Sequence, residues 1–127
     1  MTLVYRDSLL FTSVTVVHQG VRLDIAELLV DTGSATTLLA IDAVAPLGIQ
    51  PEVTDHLCRI RGVGGVEYVF SRTIDAIMVA GHEITSIDIE FGALDYGFRM
   101  NGILGLDSLL RANAVIDLHC LTIECQE

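Results

Sequence analysis

These 127 residues should fold as one mostly-β domain with two short helices, spanning positions 1–127. Three observations carry that expectation. The length suits a single domain, and with 51% of its residues hydrophobic the chain can bury a full core. Its apolar residues fall in short runs rich in Val, Ile and Thr, which is the length and composition of strands. Gly-containing turns separate these runs, and neither a linker nor a strict internal repeat breaks the series.

Phe11–Val17 reads as one strand and Val21–Val30 as the next, joined through His18-Gln19-Gly20, where Gly accepts positive φ. Val21, Leu23 and Ile25 alternate with Arg22 and Asp24, so one face is wet. The alternation stops at Leu28-Leu29-Val30, as in a strand buried on both faces. Ile41–Leu47 reads as the first short helix, limited by Pro46 and capped by Gly48. Leu57–Arg61 and Val66–Phe70 flank Gly62-Val63-Gly64-Gly65 as a hairpin with a flexible tip. Thr73–Val79 and Ile84–Phe91 pair around Ala80-Gly81-His82, and Gly92–Gly102 reads as a loop. Leu106–Arg111 is the second short helix, and Ala114–Leu118 with Leu121–Glu124 forms a closing hairpin. The count is about six to eight strands.

Charge narrows the function classes. The chain has no lysine, and its seven arginines face 17 acidic residues, for a formal charge of −10. Such a surface repels phosphate backbones and anionic lipid headgroups, so neither nucleic acid nor membrane is an expected partner. No uncharged apolar run reaches the length of a membrane span. Arg6, Asp7 and Ser8 interrupt the start, so residues 1–20 lack the pattern of a secretory leader, and a cytoplasmic location is expected. Cys58, Cys120 and Cys125 are too few and too uneven for a disulfide framework. Cys120 and Cys125, with His119 beside them, lack zinc-ligand spacing, and no metal or cofactor is expected.

Leu28-Leu29-Val30-Asp31-Thr32-Gly33-Ser34 holds the chemistry. A carboxylate that follows three apolar residues and precedes Gly emerges from the core at a tight turn. Gly33 lets the backbone pass close beneath Asp31 and present an N–H to it. The Thr32 and Ser34 hydroxyls can hold the loop and the carboxylate. Asp42, Asp107 and Asp117 read as solvated or capping residues, and His18, His56, His82 and His119 as turn or loop histidines. No Ser/His/Asp or Cys/His signature is present.

The apolar-apolar-Asp-Thr-Gly-Ser string resembles the active-site signature of aspartic peptidases. Two further features agree with it in order along the chain. Gly62-Val63-Gly64-Gly65 resembles the flap that closes over substrate. Ile103-Leu104-Gly105, followed by helical Leu106–Leu110, resembles the late apolar-apolar-Gly motif that supports the catalytic loop. One Asp-Thr-Gly in a chain this short resembles the retropepsin-like group, in which two copies of one chain share a site. Retroviral members carry an acidic residue after the Asp-Thr-Gly-Ala tetrad and an Arg after the apolar-apolar-Gly. Here those positions are Ala35 and Leu106, so the chain resembles the cellular and bacterial members instead.

That resemblance implies a single-lobe acid-protease barrel and a homodimer acting on peptide or protein substrates. It implies Asp31 as the catalytic residue, paired with its own copy, and Thr32, Gly33 and Ser34 as loop support. It implies substrate contact by Gly62, Val63, Gly64 and Gly65. The alternative is a retropepsin-like module that dimerises or binds peptides with little or no hydrolysis.

Overall fold

Val, Ile, Leu and Thr dominate the extended segments, and the chain pairs them into one large sheet and one small one. The computed structural model describes residues 1–52, 56–62, 65–94, 97 and 99–126, with the backbone alone for 56–62 and 65–68. The strands are β1 (Val4–Arg6), β2 (Leu9–His18), β3 (Val21–Val30), β4 (Leu38–Ala40), β5 (His56–Gly62), β6 (Gly65–Val79), β7 (His82–Gly92), β8 (Gly102–Leu104), β9 (Ala114–Asp117) and β10 (Thr122–Cys125). Helix α1 (Leu106–Arg111) lies between β8 and β9.

Eight strands join in the order β1-β2-β3-β8-β4-β7-β6-β5. A further β2–β6 pairing bends this sheet back on itself into a barrel. β9 and β10 form the separate two-stranded sheet. Leu28, Leu39, Ile74, Ile77, Ile89, Phe91, Leu104 and Ile123 fill the interior, each almost wholly buried. Phe70 stacks on Phe91 with ring centroids 5.5 Å apart.

The break in alternation along Val21–Val30 has a structural cause. β3 carries a bulge where the β2 register shifts between Thr12 and Val14. Glu27 sits there at φ 64°, and Asn101 fastens the bulge through bonds to the carbonyls of Ala26 and Glu27. Beyond the bulge, Leu28, Leu29 and Val30 pair with β8 on one side while Leu28 and Leu29 keep β2 on the other. A strand with neighbours on both edges and Leu28 fully buried needs apolar residues in succession.

Two expectations change. Ile41–Leu47 is not an α-helix: Leu38–Ala40 is a strand, turns follow, and only Ala45–Leu47 forms a single 3-10 turn. Pro46 has no N–H to continue a helix, and Gly48 ends the turn in the left-handed region at φ 71°. α1 is therefore the one α-helix among the described residues. The strands number ten among the described residues, because β1, β4 and β8 are three residues each and too short to register as periodic runs. Conversely, the segments 66–70 and 73–79 are parts of the single 15-residue strand β6.

Candidate active site

β8 is the element on which the site rests. It lies between β3 and β4, with Ile103 opposite both Leu29 and Leu38. β3 and β4 are consecutive in the chain, so residues 31–37 must cross over the end of β8. That crossing segment begins with Asp31.

The backbone of the crossing is pinned at several points. The Asp31 N–H donates to the Leu104 carbonyl at 3.1 Å, and the Ser34 N–H to the Asp31 carbonyl at 3.2 Å. The Leu106 N–H donates to the Ser34 carbonyl at 2.7 Å. The Gly33 N–H donates to Asp31 Oδ1 at 2.9 Å, which orients the carboxylate from below. Ser34 Oγ donates to the Thr36 carbonyl at 2.8 Å, so this hydroxyl holds the loop and not the carboxylate. Thr32 is exposed, and its hydroxyl makes no hydrogen bond among the described residues. The Asp31 side chain is half-buried, with water access on one side.

Gly105 lets the loop lie this close. A Cβ there would stand 2.2 Å from the Thr36 carbonyl oxygen. Its φ of −89° suits any residue, so space, not torsion, requires glycine. Gly62 and Gly65 face each other at the end of the β5–β6 ladder, while Val63 and Gly64 lie outside the described residues.

Beneath the loop is a polar cluster that the sequence reading missed. Thr37 and Ser108 are both fully buried. Asp107 Oδ2 accepts the Thr37 N–H at 3.1 Å, and Oδ1 accepts the Thr37 hydroxyl at 2.7 Å and the Ser108 N–H at 2.6 Å. Thr37 Oγ1 also accepts the Gly105 N–H at 3.1 Å and lies 2.6 Å from Ser108 Oγ. Since the Thr37 proton goes to Asp107, Ser108 must be the donor in that last contact. One hydroxyl thus joins the end of the Asp31 loop, the apolar-apolar-Gly motif and α1. Two signals were available: the polar pair Thr36-Thr37 directly ahead of apolar Leu38-Leu39, and an acidic residue in the first turn of a helix.

Thr37→Val keeps the shape and removes the hydroxyl. It strands the Gly105 N–H and the Ser108 hydroxyl without water, so it should destabilise the fold by at least about 2 kcal/mol. Urea unfolding should show a lower midpoint at unchanged slope. A cost below about 0.5 kcal/mol would mean that the cluster holds nothing together.

Among the described residues, none of the other polar candidates is hydrogen-bonded to Asp31. Asp117 accepts the backbone N–H groups of Cys120 and His119, and these bonds, that from Cys120 foremost, hold its carboxyl below the ordinary range. The Asp117 carboxylate in turn pushes the Cys120 thiol up, and burial raises that of Cys125. Neither is an activated thiolate. Asp42 is exposed, His18 is buried with no partner on Nδ1 among the described residues, and the His56 side chain lies outside them.

Among the described residues, no helix is long and apolar enough to cross a membrane. Comparison with curated proteins by sequence finds no match. Among solved structures, the fold is similar to a retropepsin-like aspartic protease from Rickettsia conorii, with TM-score 0.66, 23% identity, and 94% of this chain and 92% of that one covered. It is also similar to the retroviral protease-like domain of Ddi1 from Leishmania major, with TM-score 0.65, 20% identity, and 94% and 89% covered. The barrel with β8 threaded beneath the Asp31 loop is thus a retropepsin-like fold. A family model described as aspartyl protease matches residues 14–108, from β2 through the polar cluster on α1, and the chain belongs to that family.

Proposed function

We propose that this protein is an aspartic endopeptidase whose site forms when two copies bring their Asp31 side chains together. One observation carries the reading: a carboxylate oriented by the Gly33 N–H, half open to water, on a loop fixed by bonds to β8 and α1. A group held this rigidly and left reachable suits proton transfer better than binding alone.

One carboxylate cannot both accept a proton from water and donate one to a substrate carbonyl. A two-fold axis near Asp31 supplies the second group from an identical chain. Carboxylates so close do not both ionise, so the pair holds one proton, as is established for aspartic-protease dyads. The ionised Asp31 takes a proton from a water molecule, which attacks the peptide carbonyl carbon. The protonated Asp31 of the other copy donates to the carbonyl oxygen, giving a neutral tetrahedral diol. Proton transfer to the amide nitrogen then releases the amine, and the diol collapses to the acid. Gly62, Val63, Gly64 and Gly65 serve as the flap, with backbone groups able to pair with an extended peptide.

Incubation with a mixed peptide library from acidic to neutral pH tests this directly. New peptide termini that accumulate in proportion to enzyme are the expected result. A confirmed dimer that cleaves nothing would instead favour a module that dimerises or binds peptides.

A further inference from the structure

We propose that Glu90 sets substrate choice, so that the cleft favours peptides with an arginine or lysine close to the cleaved bond, an inference that rests on the peptidase reading above. The register of four strands carries it. Leu29 on β3 stands opposite Ile103 on β8, Ile103 opposite Leu38 on β4, and Leu38 opposite Glu90 on β7. Partners across a sheet point to the same face, so these four side chains form one row.

The adjoining row fixes which face that is. Leu28, Gly102, Leu39 and Phe91 are paired in the same way, and the three side chains among them are wholly buried in the barrel. The Leu29 row therefore lies on the other face of the sheet. Asp31 comes two residues after Leu29 and shares its side of the chain, whereas Val30 and Thr32 line a separate depression with Leu10 and Ile116. A peptide bound at Asp31 lies over half-buried Leu29 and Ile103, and the row leads from there to Glu90. Three strand spacings put Glu90 about 14 Å from Leu29, and an extended peptide advances about 3.3 Å per residue, so a long side chain a few places from the cleaved bond reaches it.

Glu90 is suited to receive a cation. Its N–H donates to the Thr37 carbonyl at 3.1 Å, which ties it to the polar cluster beneath the Asp31 loop. Its carboxylate is half-buried and has no hydrogen-bond or ion-pair partner among the described residues. Asp88, two residues back on the same face, accepts the Thr73 hydroxyl. Arg72, on the neighbouring strand, is turned to Glu52 and the Gln50 carbonyl. A half-buried carboxylate at the end of an apolar row, in a chain with seven basic residues for 17 acidic ones, is best neutralised from outside. Arginine and lysine match the whole row, because their methylene stems suit Ile103 and Leu38 while the cation meets Glu90. A two-fold site presents the row twice, so the preference appears on both sides of the cleaved bond.

Matched peptides test this. Products from a mixed library locate the preferred position, and paired peptides then differ there only by Arg or Met. The native protein should cut the Arg peptide with a kcat/KM roughly tenfold higher. Glu90→Gln should bring that ratio to within about twofold of one, and Glu90→Arg should favour Glu over Arg at the same position. Asp88→Asn controls for general attraction by an acidic surface and should keep the Arg preference. A library cut without enrichment of basic residues, a preference that survives Glu90→Gln, or one lost equally in Asp88→Asn overturns the assignment and leaves the peptidase standing. A native protein that cuts no peptide in the library overturns both.

Discussion

Asp31→Asn should lower peptide hydrolysis by roughly a hundredfold or more while leaving the fold intact, because it removes the proton acceptor on which the proposed reaction depends. The substitution is mild structurally. Asn keeps an oxygen to accept the Gly33 N–H, and the side chain is half-buried on an exposed turn, so no buried charge loses its partner. The melting temperature should move little, and cleavage of any peptide the native protein cuts should vanish. Equal cleavage by both proteins would place the chemistry elsewhere.

A site shared by two copies, as proposed, makes a sharper expectation. If native and Asp31→Asn chains are unfolded together and refolded in equal amounts, random pairing leaves about one quarter of dimers with both carboxylates. A dimer with one Asp31 lacks either the acid or the base. Activity should therefore fall to about one quarter of that of an all-native sample at the same total chain concentration. Activity of one half would mean that each chain works alone, and the two-copy dyad would be wrong.

Much of this site is local in sequence, which is why it could be read there. Asp31, Gly33 and Ser34 are neighbours, and their turn follows from residue type. Ile103-Leu104-Gly105 ahead of α1 is a second local string, and α1 itself lies at Leu106–Arg111 as its pattern requires. What was not legible depends on pairing between distant segments. β4 is three residues that become a strand only because β7 and β8 flank them. Extending a helix from Ile41 to Leu47 followed local propensity, which Pro46 and the neighbouring strand overrode. The Thr37–Asp107–Ser108 cluster joins positions some 70 residues apart. Each residue alone looks like a turn or capping residue, and only the crossing of loop over β8 brings them into one buried network.

Gly105→Ala should be strongly damaging for so small a substitution, and it separates steric support from chemistry. The added methyl would meet the Thr36 carbonyl oxygen at 2.2 Å, the Thr36 carbonyl carbon at 2.5 Å and the Ser34 carbonyl oxygen at 3.0 Å. All three are backbone atoms, so no side chain can swing aside. The loop cannot lift without breaking the bonds from Asp31 N–H to Leu104 and from Leu106 N–H to Ser34. The expected cost is on the order of 3 kcal/mol, a fall in Tm of roughly 10 °C, with cleavage lost as well. Gly33→Ala is the contrast. Its nearest obstacle is Asp31 Oδ1 at 3.2 Å, the end of a side chain that can rotate away. That variant should keep most of its stability and still lose activity, because relief of the clash turns the carboxylate out of the orientation its Gly33 bond sets. Calorimetry and cleavage measured on both variants decide the matter. If Gly105→Ala melted within a degree or two of the native protein, β8 would not be the platform that fixes the Asp31 loop.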